Sequence, residues 1–216
     1  MRHRFLLFSC IGVCIALASC TDVAGPPASG PAWGGAVPQY DVVGYRVNIL
    51  VEDPTAPPLE TYDLGFWVVQ GDDGTRLVVN YQPSPTSASK RFMRLEIGED
   101  TRLYRPDGSR VRSGDSVLIT ARIDFRQLLV RFGPEGLVFG NEPARLTMYW
   151  GNANLDLNRD GLVNELDTAI IRSSLAIAYQ AREGEPWLRP RDQVKSLEGR
   201  YISTRLYHFS NYAVSW

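Results

Sequence analysis

A mainly β chain, an antiparallel β-sandwich with one short helix, is the fold class this sequence predicts, on three observations. Apolar residues alternate with polar ones in short runs, as at Val117, Ile119, Ala121 and Ile123 and again at Leu146, Met148 and Trp150. Successive strand side chains point to opposite faces, so this is the period of half-buried strands. Clusters of Gly, Asp and Pro separate the runs at similar spacing, the pattern of a sandwich or barrel. Residues 164–174 break the alternation and place Ala169, Ile170 and Leu175 at near-helical spacing, so a short helix is expected there.

The chain begins with Arg2, His3 and Arg4 ahead of an apolar run over 5–18, the layout of an export signal. The run falls short of the about 20 apolar residues that span a bilayer comfortably. It ends on Leu17-Ala18-Ser19-Cys20, before the polar Thr21 and Asp22. That tetrapeptide resembles the bacterial lipobox. The resemblance implies cleavage before Cys20, lipidation of its thiol and acylation of the new amino group. Each buried methylene adds roughly 0.8 kcal/mol to membrane binding, so several acyl chains make a lasting anchor. An ordinary cleaved signal, with Cys20 left free or cleaved away, is the other reading, and it changes the anchor but not the export. Thr21 stands where an aspartate would resemble an inner-membrane retention signal, so the expected place is the cell envelope, on the outer membrane if the organism has one.

Cys10 and Cys14 leave with residues 1–19, and Cys20 is then the sole thiol, so no intramolecular disulfide is expected. Stability has to come from a hydrophobic core, which a chain of roughly 195 residues can build as one domain. Residues 20–38, rich in Gly, Pro and Ala, read as a lipidated flexible tether ahead of a single domain over 39–216. The 23 basic residues nearly balance the 24 acidic ones and show no basic stripe along the chain, so no nucleic-acid partner is expected.

Within the domain, Val43, Tyr45, Val47, Ile49 and Val51 alternate as one half-buried strand. Residues 66–70 and 76–81 flank Gly71-Asp72-Asp73-Gly74, which reads as the turn of a β-hairpin. Met93, Leu95 and Ile97 alternate, as do Leu128, Val130 and Phe132. Strand-like sequence follows the helix over 175–180 and 200–209, and Trp216 closes the chain as a docked terminus.

The sharpest motif is residues 156–167, DLNRDGLVNELD. Calcium takes about six to eight oxygens at about 2.3–2.6 Å, and a twelve-residue loop supplies them from its positions 1, 3, 5, 9 and 12. Here those are Asp156, Asn158, Asp160, Asn164 and Asp167. Position 7 gives a backbone carbonyl, from Leu162, and the sharp turn at position 6 needs a glycine, Gly161. Val163 at position 8 is expected to point into the core. The loop resembles the EF-hand family, and within it the dockerin-type version of bacterial surface proteins, where aspartate stands at position 12. In two respects it departs from that pattern. Residues 146–150 read as a strand where the paired-helix hand has an entering helix, and no second D-x-N-x-D-G occurs. Dockerins carry a tandem pair, so a cohesin partner is not carried over. The same residues also suit a polar turn with Asp167 or Asn164 capping the helix.

A second stretch, Arg131-Phe132-Gly133-Pro134-Glu135-Gly136-Leu137-Val138-Phe139 followed by Pro143, resembles a segment of the β-sandwich domain of ankyrins, netrin receptors and zonula occludens proteins. The resemblance implies a protein-interaction module without catalysis, with Gly133 and Gly136 permitting a tight turn around Pro134 and Phe139 plugging the core. A generic β-turn remains the alternative.

No catalytic residue is assigned. His208 and Ser210 lie on one side of an extended segment with no nucleophile elbow. His208, the one histidine left after cleavage of the signal, cannot by itself build the usual zinc sets. The pairs Asp72 with Asp73 and Glu183 with Glu185 sit on turns, with no partner across a cleft visible in sequence. Trp67, Trp187 and Tyr201 could stack on sugars but are expected in the core. The sequence therefore predicts a lipid-anchored, calcium-binding β-sandwich with a binding or envelope-structural role and a protein or glycan partner at the cell surface. A carbohydrate-associated module is the alternative, and an extracytoplasmic hydrolase the third.

Overall fold

The computed structural model describes residues 38–85 and 89–216. The expected export signal, Cys20 and all but the last residue of the expected tether fall outside them. The elements, in chain order, are β1 (Tyr40–Gly44), β2 (Asp63–Val69), β3 (Thr75–Asn80), β4 (Arg91–Ile97), β5 (Arg102–Tyr104), β6 (Ser116–Ile123) and β7 (Leu129–Gly133). Then come β8 (Val138–Gly140), β9 (Ala144–Tyr149), α1 (Glu165–Ser173), β10 (Ala176–Gln180), β11 (Trp187–Pro190), β12 (Val194–Ser196), β13 (Tyr201–Leu206) and β14 (Asn211–Ser215).

The strands form a seven-stranded sheet, β1-β11-β10-β14-β7-β6-β2, a five-stranded sheet, β12-β13-β9-β4-β3, and the two-stranded β5-β8. The pairings within them are antiparallel. The two large sheets enclose one core to which the alternating residues contribute. Ile119 and Ala121 from β6 are fully buried, as are Leu146 and Met148 from β9. Phe139 is also fully buried and meets Phe209 edge-on at 4.9 Å, so the second resembling stretch does put an aromatic in the core. The terminal Trp216 packs against this core, and its N–H donates to the Asn48 carbonyl at 3.1 Å.

Two expectations about strands are corrected. The alternation over 43–51 does not make one strand: β1 ends at Gly44, whose φ of +133° turns the chain, Tyr45 is exposed, and Ile49 and Val51 join only isolated bridges. Val43, Val47 and Ile49 instead lie against Leu129, Ala178, Trp187 and Ala213, a smaller cluster on the far face of the seven-stranded sheet. Leu50 is wholly buried in the main core. Residues 66–70 and 76–81 are not a hairpin either. β2 pairs with β6 along its length and β3 with β4, so the Gly71–Gly74 turn carries the chain from the edge of one sheet to the edge of the other.

Candidate metal centre

The 156–167 loop makes a similar crossing, between β9 of the five-stranded sheet and β10 of the seven-stranded one. Its turns depend on two left-handed residues, Arg159 at φ +62° and Gly161 at φ +86°. Asn164 caps α1: its Oδ1 accepts from Leu166 N–H at 2.8 Å, and its own N–H donates to Asp167 Oδ2 at 2.9 Å, a reciprocal capping box.

Asp167 is the centre of the loop. It has no exposed surface and is the one buried residue of α1. Its Oδ1 accepts from Leu157 N–H at 2.7 Å and Asn158 N–H at 3.0 Å, so one carboxylate ties the last loop position back to the second and third. The Asn164 N–H, then those of Asn158 and Leu157, hold its carboxyl below the usual range against the opposing pull of burial. Asp156 spans the opening turn, with Oδ1 accepting from Asp160 N–H at 3.0 Å and Oδ2 from Gly161 N–H at 2.9 Å.

Asp160 completes the set. Its Oδ1 accepts from Leu162 N–H at 2.9 Å, and its Oδ2 receives the amide Nδ2 groups of Asn158 at 2.9 Å and Asn164 at 3.1 Å. The Leu162 N–H first, then these amides, hold its carboxyl low as well. Loop positions 3 and 9 thus bring electropositive groups to the same carboxylate oxygen. Rotating a side-chain amide by half a turn exchanges its nitrogen for its oxygen, and a cation there would replace the two amide dipoles. At Asn158 the exchange is cheap, because Asp160 N–H keeps its bond to Asp156. At Asn164 it would give up the Leu166 cap, but position 9 commonly acts through a water. The donor set fits a hard, oxygen-seeking ion. Among the described residues no three His, Cys, Asp or Glu side chains form a metal-binding group.

The structure therefore brings Asp156, Asn158, Asp160, Asn164 and Asp167 into one hydrogen-bonded cluster around the turn that carries the Leu162 carbonyl. It corrects Val163, which is 65% exposed beside the exposed Leu162 and Leu166. Leu157 and the Asp167 carboxylate fill the interior that position 8 was expected to take.

Trp67 is a second correction. It is 65% exposed on the edge strand β2, directly across from the exposed Leu118 of β6. Trp187 is buried as expected, and Tyr201 is half-buried. His208 meets the edge of Tyr179 at 5.2 Å, and burial lowers its pKa. The described residues include no helix long and apolar enough to cross a membrane. No protein-family model, no curated protein and no solved structure matches the chain.

Proposed function

We propose that the chain is an exported, lipid-anchored protein of the cell envelope that binds calcium in its 156–167 loop and serves a binding or structural role there. The observation that carries this reading is the closure of the loop on Asp167, with the side chains of Asp156, Asn158 and Asp160 gathered on the same turn. The resemblance to dockerin-type loops and to the lipobox supports it. Calcium in this reading is structural. It would pin the excursion that joins the two sheets, held by the oxygens of Asp156, Asn158, Asp160, Asn164 and Asp167 and the Leu162 carbonyl. With three carboxylates the site is expected to be weak, with a Kd on the order of 10⁻⁵ to 10⁻³ M.

A ligand that binds only the folded state must raise its stability. Calcium is expected to raise the melting midpoint of the parent, with chelator reversing the gain, and to leave an Asp156→Ala, Asp160→Ala double variant unmoved. No response of the parent at millimolar calcium sinks the reading. The anchor is tested apart, by whether Cys20→Ser releases the chain from the membrane fraction.

A second reading, a carbohydrate-associated module, draws on Trp67. A tryptophan 65% exposed opposite an exposed leucine is an apolar platform that folding alone does not demand. Glycan binding lost in Trp67→Ser, with the melting midpoint unchanged, would favour it.

A further inference from the structure

The five-stranded sheet turns one face to the core and the other outward, and strand periodicity sorts its residues between them. Leu146 and Met148 of β9, Ile202 and Leu206 of β13, and Leu95 and Ile97 of β4 face inward and are buried. Arg145 and Tyr149, Tyr201 and Arg205, and Arg94 and Glu96 therefore share the outward face. The register lines them up in rows. Arg205 lies directly opposite Arg145, Arg145 opposite Glu96, and Glu96 opposite Arg76. A further arginine, Arg91, reaches the Tyr149 hydroxyl at 3.5 Å, and Tyr149 packs on Tyr201 at 5.8 Å between ring centres.

Five arginines thus meet two carboxylates on this face. Glu96 is shared between Arg76 at 3.0 Å and Arg94 at 3.3 Å, and Asp192 lies 4.0 Å from Arg205. Among the described residues Arg145 makes no ion pair, and its cross-strand neighbour is another exposed arginine. Like charges placed directly opposite each other destabilise a sheet. Folding alone would not select this pairing, whereas an anion lying across the two guanidinium groups turns it into a two-pronged carboxylate or sulfate contact.

We propose that this outward face binds an anionic polysaccharide. Charge complementarity supplies the attraction. Neighbouring strands are about 4.8 Å apart, so a uronate or sulfate group lying over β9 and β13 can meet Arg145 and Arg205 together, before the row passes to Glu96 on β4. Tyr149 and Tyr201, half-buried and packed on each other, give this face its aromatic surface. The choice of polysaccharide among polyanions rests on the export reading above, which places the chain among envelope glycans.

The test is titration of the full-length chain, purified in detergent, with polygalacturonate. Neutral dextran, an oligothymidylate and phosphatidylglycerol vesicles are run alongside. Polygalacturonate is expected to bind, to weaken as salt rises and to bind about tenfold more weakly to Arg145→Gln, Arg205→Gln, a loss of about 1.4 kcal/mol. An Arg122→Gln, Arg182→Gln control, on arginines away from this sheet, is expected to bind as the parent does. Removing a like-charged pair should not lower the melting midpoint. If the double variant fails to fold, either single variant carries the same comparison. No binding at low salt overturns the proposal, as does equal loss in the control, or tighter arginine-dependent binding to the oligothymidylate or the vesicles. Export is read separately by cell fractionation. A chain retained inside the cell that still binds polygalacturonate through Arg145 and Arg205 overturns the export reading alone.

Discussion

Asp167 Oδ1 accepts the backbone N–H of Leu157 across 2.7 Å, joining two residues ten positions apart and closing the loop that leads from one sheet to the other. The same carboxylate takes the N–H groups of Asn158 and Asn164. Asp167→Ala leaves three backbone donors to find new partners, the Leu157 N–H buried and those of Asn158 and Asn164 part-buried. The expected result is a fall in the melting midpoint on the order of 5 °C in chelator, where calcium plays no part. Asp167→Asn, which keeps one acceptor oxygen, should fall less.

Two glycines are predicted to respond differently to alanine. At Gly161, φ is +86° and an added Cβ meets nothing within 4 Å, so only the left-handed backbone opposes it. The expected cost is about 1 kcal/mol. At Gly74, φ is +78° and the Cβ would stand 2.9 Å from the Ile97 carbonyl oxygen, a backbone atom of β4 that cannot swing aside. Gly74→Ala should cost about 2–4 kcal/mol. Urea denaturation of both variants measures the difference, and equal losses would contradict the tight crossing at the sheet edges.

Lys195 caps the C-terminus of α1 from a different element, β12. Its Nζ donates to the carbonyls of Ile171 at 2.7 Å, Arg172 at 2.8 Å and Leu175 at 3.0 Å. The carbonyls of Ile171 and Arg172 are end carbonyls of the kind that no helical N–H satisfies, Leu175 follows just beyond the helix, and a cation there also suits the helix dipole. Lys195→Met keeps the aliphatic stem and removes the bonds, for an expected loss of about 1–2 kcal/mol by urea denaturation. Hydrogen exchange should quicken in α1 more than in β9.

Burial depresses the pKa of His208, so the unfolded chain takes up the proton first as pH falls. The stability tied to neutral His208 is fully present above the unfolded value of about 6.5. It drains away as pH drops from there through the folded value. Tyr179 is the ring that faces it, and its own hydroxyl is pushed up to about 12 by burial, so it stays neutral throughout that window. A His208→Phe variant should show a flatter stability profile between pH 7 and pH 5 than the parent. Profiles of the same slope would place the pH dependence elsewhere.

The sequence by itself determined the β class, the short helix after residue 164 and the oxygen-bearing loop over 156–167. These features are local: strand alternation at Val117 to Ile123 and at Leu146 to Trp150 follows from the pleat, and the loop's oxygens and glycine lie within twelve residues of one another. Only the tertiary structure decided which strands become neighbours. Alternation assigns a residue to a face of its strand and says nothing about the sheet that strand will join. Hence β2 and β3, adjacent in sequence across a good turn, end up at the edges of different sheets, and Trp67 is exposed because it shares an outward face with Leu118, the residue opposite it on β6. Val163 points out because the loop's interior is taken by a carboxylate with three backbone partners. The near balance of 23 basic and 24 acidic residues likewise conceals a segregation that pairing creates. Arg145 and Arg205 are sixty positions apart in the chain and face each other only because β9 and β13 pair in that register.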